Sequence, residues 1–177
     1  MAITRLGGAN AITGTLPAAN INDTSIGNIT ALPAGVGGKV LQVVTATDST
    51  TRSTTSTTFV NASNTLSVDI TPSSTSSKIF VIATLPIHSG TGAKSYWSTI
   101  FRDSTNLGDA TNGMVNCFDD GSERTIGNPT SMSFLDSPSS TSQLTYQVYV
   151  KSVSGSAGTF LMYAGAQGSI TAYEIAG

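Results

Sequence analysis

The sequence predicts an all-β protein, an antiparallel β-sandwich or jelly roll of about eight to ten strands that follows an extended N-terminal arm. Three observations lead to this prediction. Short segments alternate apolar and polar residues, and turns rich in Ser, Gly, Pro or Asn separate them. No stretch keeps the helical period over three turns. Roughly three residues in ten are Ser or Thr, which suit strands and turns.

The clearest strand pattern lies in residues 131–153. One side of an extended chain there carries Leu144, Tyr146, Val148 and Val150. Upstream, Met132 and Phe134 alternate with serines in the same way. Between the two runs, an Asp-Ser-Pro sequence and further serines are typical of a turn. The segment therefore predicts two neighbouring antiparallel strands.

The other predicted strands have similar lengths and similar turns between them. They are residues 39–47, 56–61, 66–71, 78–85, 96–102, 114–118, 159–164 and 170–175. The continuous apolar run 78–85 predicts a central strand that is buried on both faces. Pro86 has no N–H for a ladder, so we expect it to end that pairing or to mark an edge. The lone Cys117 excludes the Cys…Trp…Cys spacing of an immunoglobulin sandwich.

Residues 1–38 differ from the rest of the chain. Their apolar residues come singly, at gaps of three to six positions that fit neither the helical nor the strand period. We expect an extended arm that inserts these side chains into a partner protein or into sister copies, although a leader without such a role stays possible. The predicted docking residues are Ile3, Leu6, Ile12, Leu16 and Ile21. A glycine-rich hinge at 33–38 then leads into a head domain, residues 39–177.

Charge and leader patterns exclude several classes of protein. The net charge is −2 and only 10% of residues are charged, so no basic field for nucleic acid or anionic lipid is expected. No apolar run reaches the length of a membrane span, so we expect no membrane insertion. The opening MAITRLGGAN lacks the apolar core of a secretory signal, which predicts synthesis in a cytoplasm.

The search for catalytic or metal-binding residues is mostly negative. His88 is the only histidine, and without a G-x-S-x-G elbow we expect a loop or interface role for it. Cys117 fits a small apolar residue in a strand. The acidic cluster of Asp119, Asp120 and Glu123 lacks the ligand spacing of a calcium loop, so a solvated turn is expected. We predict no catalytic residue, no cofactor and no metal.

A few remaining polar and aromatic residues suggest other roles. Tyr96 and Trp97 are adjacent, so a strand would point them to opposite faces, one into the core and the other outward or under a neighbour. They are our candidates for a glycan contact or a subunit contact. Asp136 and Glu174 stand alone among uncharged residues, so capping or surface roles are expected for them.

Several stretches together resemble bacteriophage virion proteins. Residues 3–35 resemble the N-terminal arms of those proteins, and residues 38–85 resemble the opening of their β-rich head domain. Further likenesses are R-D-S-T at 102–105, F-L-D-S-P at 134–138, T-Y-Q-V at 145–148 and I-T-A-Y-E-I at 170–175. The likeness covers nearly the whole chain, and its motifs are structural.

The resemblance implies a non-enzymatic tail fibre, spike or head-fibre protein on the virion surface, made in the bacterial host cytoplasm. It implies docking of the arm onto capsid or tail proteins, a jelly-roll head that forms a homotrimer, and host attachment. The sequence shows no long coiled coil or triple-β shaft, which favours a short spike, knob or capsid decoration protein.

Two alternatives remain open at this stage. A stand-alone carbohydrate-binding module would depend on Tyr96, Trp97 and outward loops at 89–93 and 112–128. A polysaccharide depolymerase would need paired carboxylates in a groove, and the chain supplies few.

Overall fold

The computed structural model describes residues 39–89, 95–117, 127–153 and 159–177. All of them belong to one compact unit, Lys39–Gly177. The predicted arm, with docking candidates Ile3, Leu6, Ile12, Leu16 and Ile21, lies outside the described residues, as do 90–93 and 118–126 of the predicted outward loops. The division into arm and head domain therefore stays a prediction.

The described residues form twelve strands and one 3-10 turn, Tyr163–Gly165. The strands are β1 (Val40–Asp48), β2 (Arg52–Thr54), β3 (Val60–Asn61), β4 (Ser67–Ile70), β5 (Lys78–Ser89), β6 (Tyr96–Arg102), β7 (Thr105–Asn106), β8 (Val115–Cys117), β9 (Gly127–Asp136), β10 (Leu144–Ser152), β11 (Thr159–Leu161) and β12 (Gly168–Ile175). Their paired neighbours all run antiparallel. Among the residues described, none forms a helix with the length and apolarity needed to cross a membrane.

The short strands continue longer ones, so the twelve act as eight. Along one edge of β10 lie both β3 and β4, β6 pairs with both β7 and β8, and β11 and β12 share one edge of β5. Strand β2 pairs with β11 as β1 pairs with β12. Sheet A is thus ordered β1–β12–β5–β9 and sheet B β4–β10–β6–β8, each extended by the short strands. We count β1 with β2, β3 with β4, β7 with β8 and β11 with β12 as one strand each, and number the resulting eight strands in chain order. Sheet A then has the order 1-8-3-6 and sheet B the order 2-7-4-5, which is the jelly-roll order. The predicted fold class is confirmed.

Strand β5 departs from its prediction in two ways. Its residues alternate between buried and half-buried, so only one face of the strand lies in the core. Pairing also continues past Pro86, which lies opposite Pro129 of the edge strand β9. The Pro86 carbonyl accepts a hydrogen bond from Met162 N–H at 2.9 Å. Because N–H and C=O of one residue point the same way in an antiparallel ladder, pairing with β9 does not need the missing N–H.

The two strands predicted to be neighbours, β9 and β10, lie in different sheets. Strand β9 pairs with β5 in sheet A, and β10 pairs with β6 in sheet B. Residues 137–143 connect them across the edge of the sandwich. A tight hairpin needs only two to five loop residues, so this seven-residue connection can cross between layers. The strand pattern was read correctly, but the pairing was wrong.

The hydrophobic core fills the space between the inner faces of the two sheets. Its largest buried side chains include Tyr96 and Tyr146 of sheet B and Leu85 of sheet A. Strand period 2 explains the membership, because every second residue of β5, β10 and β12 faces inward. These inward apolar residues are Ile79, Val81, Ala83, Leu85 and Ile87 of β5, Leu144, Tyr146, Val148 and Val150 of β10, and Ile170 and Ala172 of β12.

Candidate functional site

The aromatic residues of sheet B gather on its outer face. Strand β6 places Tyr96, Ser98 and Ile100 inward and the alternate residues outward, where β10 adds its own outward side chains. The segment before β3 contributes a further ring. We call this cluster the Trp97 face, defined by Phe59, Trp97, Phe101, Tyr149 and Lys151.

The rings of the Trp97 face pack directly on one another. The Phe101 and Tyr149 rings stack with centroids 4.0 Å apart and planes inclined by 23°. The Phe59 ring packs against that of Phe101, with centroids 6.4 Å apart and planes inclined by 60°. Strand register explains the contact, because Phe101 lies opposite Gln147, so that Tyr149 is its diagonal neighbour. Contacts among its own side chains therefore hold the Trp97 face in place.

Lys151 lies between two of these rings. Its Nζ is 4.1 Å from the centre of the Trp97 ring and 4.7 Å from that of Phe59. Both distances fall within the range of cation–π attraction. The residue is only 8% exposed, and burial lowers the pKa of its amino group, while Asp109 opposes the shift. This lysine thus fills the centre of the face and fixes the Trp97 ring.

Gly113 makes room for this arrangement. Its φ of +67° lies in the left-handed region, and an added Cβ would come within 2.6 Å of the Ser98 carbonyl oxygen and 2.9 Å of Phe59 Cζ. Only glycine meets both requirements. The loop before β8 can therefore lie close enough to support Phe59.

The two sequence candidates are separated by the sheet. Trp97 lies on the outer face, whereas Tyr96 is 0% exposed in the core beside Cys117 of β8. Burial raises the pKa of Tyr96 to about 12, and the Cys117 thiol adds to the shift while Thr130 opposes it. The glycan or subunit contact therefore stays a prediction for Trp97, and Tyr96 has a place inside the sandwich. Cys117 is half-buried and packs against the core, as the sequence suggested.

Asp136 is not a surface or capping residue. It is buried, and it joins the two sheets: Arg102 Nη1 donates to both of its oxygens at 2.9 and 2.7 Å, and the Tyr146 hydroxyl donates at 2.6 Å. Burial and the Asp136 carboxylate raise the pKa of Tyr146 well above its ordinary value. Burial lowers the pKa of Arg102, but the carboxylate raises it and prevails. The prediction for Asp136 was wrong because neither partner is near it in sequence.

Glu174 is likewise buried, at 1% exposed, and its role is structural. One oxygen accepts from the Ser73 N–H and hydroxyl, both at 2.6 Å, and the other accepts from Gln42 at 3.3 Å. Burial raises the pKa of this carboxyl, but the hydrogen bonds from Ser73, Ser77 and Gln42 together lower it by more, so the net shift of the pKa is downward. The expected surface or capping role is thus corrected, since this carboxylate ties the loop after β4 to β12.

His88 lies on the outward side of β5, near the end of the sandwich. Its ring stacks on Tyr163 with centroids 4.2 Å apart and planes inclined by 10°. The pair borders a shallow cavity of about 210 Å³. Its lining consists of Pro86, Ile87, His88, Gly127, Pro129 and Tyr163. The half-turn that carries Tyr163 has positive φ at Met162 (49°) and Ala164 (56°).

Within 39–89, 95–117, 127–153 and 159–177, no three His, Cys, Asp or Glu side chains come together as a possible metal site. The acidic cluster at Asp119, Asp120 and Glu123 lies outside the described residues.

Comparisons with known proteins find similarities of structure rather than of sequence. Neither protein-family profiles nor curated protein sequences yield a match. Solved structures that resemble the fold include VP2 in a subviral particle of infectious bursal disease virus, at TM-score 0.39 and 14% identity, with 77% of this chain and 38% of that chain covered. The structure of the T13 particle of that virus gives a TM-score of 0.37 and 13% identity, and the match covers 76% of this chain and 35% of that chain.

These likenesses are distant. The chain spans little more than a third of the length of the VP2 chains it matches. TM-scores below 0.5 do not establish a common fold, so neither function nor assembly passes from VP2 to this chain.

Sequence reasoning found Trp97 but missed its neighbours. Phe59, Tyr149 and Lys151 are distant from Trp97 in sequence and meet it only through the β6–β10 register and the loop before β3. The period-2 pattern already placed Trp97 and Phe101 on one face of a strand. The same pattern in β10 placed Tyr149 and Lys151 together, but not beside β6.

Proposed function

We propose that this chain is a non-enzymatic structural protein of a bacteriophage virion, a short tail fibre, spike or capsid head-fibre protein. Residues 1–38 dock onto capsid or tail proteins, and residues 39–177 are displayed on the virion surface as a homotrimeric head. The head assists attachment to the host, with the Trp97 face as the candidate glycan contact.

The observation that carries this proposal is the complete jelly-roll strand order within Lys39–Gly177. Jelly rolls recur in viral structural proteins and in lectins. Since one fold serves many functions, the fold supports the proposal by analogy alone. The few charged residues add to it, because a surface of hydroxyl groups costs little to desolvate in a protein contact.

The buried carboxylates also fit a structural role. Asp136 and Glu174 each accept hydrogen bonds from neighbouring side chains inside the sandwich. Hydrolysis of a polysaccharide requires two carboxyl groups beside the substrate. These two carboxylates instead stabilise strand ends, so they supply no such pair.

The test is incorporation of full-length variants into virions. The test variant carries Asp at all five predicted docking positions, Ile3, Leu6, Ile12, Leu16 and Ile21. We expect it to lose incorporation, because charged side chains cannot insert into an apolar groove. A matched control replaces Asn10, Asn20 and Asn22 of the same segment with Ala. Normal occupancy of the Asp variant would show that these side chains do not anchor the protein.

A stand-alone carbohydrate-binding module is the second candidate, and the Trp97 face favours it. Preformed aromatic surfaces with nearby amide and hydroxyl groups are common at binding sites. Tight binding of a glycan array by the isolated monomer, lost in Trp97→Ala, would support this function. Failure of the protein to enter virions, together with such binding, would favour it over the structural role.

A further inference from the structure

The outer face of sheet A carries an apolar row that crosses all four main strands. Strand register aligns Val43 of β1 with Tyr173 of β12, Tyr173 with Phe80 of β5, and Phe80 with Leu135 of β9. The Phe80 and Tyr173 rings are 6.3 Å apart between centroids. We call Val43, Tyr173, Phe80 and Leu135 the apolar row.

The ends of the apolar row are open. Val43 is 55% exposed and Leu135 is 48% exposed, and Leu41, two residues before Val43, is 50% exposed. Single exposed apolar residues are ordinary, but a contiguous set marks a contact surface. Here three apolar side chains that are each about half exposed lie on one face of one sheet, next to two aromatic rings.

The rest of the face consists mainly of hydroxyl groups. The next row is Thr45, Thr171, Ile82 and Ser133, and the one after it is Thr47, Ser169, Thr84 and Ser131. Within the first of these, Thr45 Oγ1 and Thr171 Oγ1 are 2.9 Å apart and share a hydrogen bond. The face has one charged residue on its central strands, Lys78, at the end of β5 opposite Ile175.

The two outer faces of the sandwich differ in how exposed their apolar side chains are. On sheet B, Lys151 packs over Trp97 and Phe59, and the four rings of the Trp97 face are half-buried. On sheet A, the ends of the row remain open, since Val43 is 55% and Leu135 is 48% exposed. The apolar row thus retains surface that a contact can still bury.

The chemistry of the face identifies its occupant. A nucleic acid or an anionic membrane would require several basic side chains, and the face offers one lysine. A small molecule would require a concave site, whereas the row crosses a sheet. Hydroxyl groups both donate and accept hydrogen bonds, so a face of hydroxyl and apolar groups can meet the surfaces of sister copies around the three-fold axis of the proposed homotrimer.

We propose that the outer face of sheet A, centred on the apolar row, is the surface through which copies of this chain associate. The inference extends the proposed function and rests on its homo-oligomer, to which it assigns the contact. Val43, Phe80, Leu135 and Tyr173 become buried between subunits. The neighbouring Thr and Ser rows lie at the rim, where their hydroxyl groups bond across the interface or to water.

The test is the mass of the full-length chain in solution, measured by light scattering across a dilution series. We expect the wild-type chain to be an oligomer and Val43→Lys and Leu135→Lys each to weaken association at least about tenfold, because a charge would be buried at the contact. Both side chains are about half exposed, so the fold should tolerate the change. The matched control is Val153→Lys, at a residue that is 40% exposed after β10.

Three results would overturn the inference. They are a monomeric wild-type chain, unchanged mass in both apolar-row variants, and equal dissociation in Val153→Lys. Circular dichroism of each variant shows whether the β structure is retained. If a lysine variant misfolds, Val43→Thr is compared instead, because it keeps the shape of the side chain without adding a charge, and it should stay oligomeric. A wild-type chain that enters virions but is monomeric would refute this inference and the proposed homotrimer, and would leave the virion role standing. An oligomer that never enters virions would refute only the proposed function.

Discussion

Arg102 in sheet B and Asp136 in sheet A form an ion pair at 2.7 Å that spans the two layers of the sandwich. The Tyr146 hydroxyl completes the site by donating to the same carboxylate oxygen at 2.6 Å. Asp136 is the last residue of β9 and Arg102 the last of β6. The pair therefore fixes where the ends of two strands, each in its own layer, lie relative to one another.

Removing one member of this site should destabilise the fold. We expect Asp136→Asn to lower the free energy of unfolding by about 2–4 kcal/mol, because it leaves the Arg102 guanidinium in a mostly buried site without its counter-charge. Urea denaturation measures the change. Asp69→Asn is the control, since that carboxylate accepts an exposed hydrogen bond from Thr145. We expect this substitution to lower the free energy of unfolding by less than about 0.5 kcal/mol. Equal effects of the two substitutions would contradict a structural role for the pair.

Acid should destabilise the β-sandwich through Asp48 and Glu174. Burial raises the pKa of Asp48, but hydrogen bonds from the Ser63 hydroxyl and the Thr50 N–H outweigh it and hold the pKa well below the ordinary 3.8. For Glu174 the shift is also downward from 4.5. A carboxyl whose pKa is lower in the folded state stabilises the fold above its unfolded pKa and loses that effect as the pH falls.

The expected result is a urea midpoint that is constant above about pH 5.5 and falls progressively below the ordinary values of 4.5 and 3.8. Ser63→Ala should reduce the loss, because Asp48 then has a more ordinary pKa. A midpoint that does not change between pH 6 and pH 3 would count against these shifts.

Trp97 is the only tryptophan, so its fluorescence reports the Trp97 face alone. We expect Lys151→Ala to shift its emission to longer wavelength and to cost about 1 kcal/mol, because the cation–π contacts and the covering side chain are lost. Lys151→Met keeps an apolar chain over the ring and should shift the emission less. Identical spectra for the wild type and Lys151→Ala would show that Lys151 does not cover Trp97 in solution.

Substitutions at two glycines distinguish the cost of backbone strain from the cost of steric contact. Gly113 and Gly165 both have positive φ, +67° and +80°, but a Cβ meets close atoms only at Gly113. We expect Gly165→Ala to cost about 1 kcal/mol from the backbone alone. Gly113→Ala should cost roughly 3 kcal/mol or more, because Phe59 and the Ser98 carbonyl must also move. Thermal or urea unfolding compares them, and equal costs would show that the Gly113 site relaxes freely.

The strands themselves could be read from the sequence because their signal is local. The prediction for 96–102 matches β6 residue for residue, and those for 39–47 and 170–175 match β1 and β12 within two residues at each end. Period-2 alternation in β10 correctly separated core residues such as Tyr146 and Val148 from outward ones. The short strand β2 was missed, since Arg52–Thr54 lies in a run of Ser and Thr without apolar residues.

The partners of each strand and the meeting of distant side chains were decided by tertiary structure. Alternation marks which face of a strand is apolar, but it does not say which strand lies beside it, so β9 and β10 were paired wrongly. The covering of Trp97 by Lys151 and the apolar row depend on register between strands far apart in the chain, and the Arg102–Asp136 pair depends on how the two sheets pack. By itself, the sequence determined an all-β chain and the apolar face of strands with clear alternation, such as β10. The packing of two sheets decided which residues those faces bring together, because burying both inner faces at once leaves few arrangements of the strands.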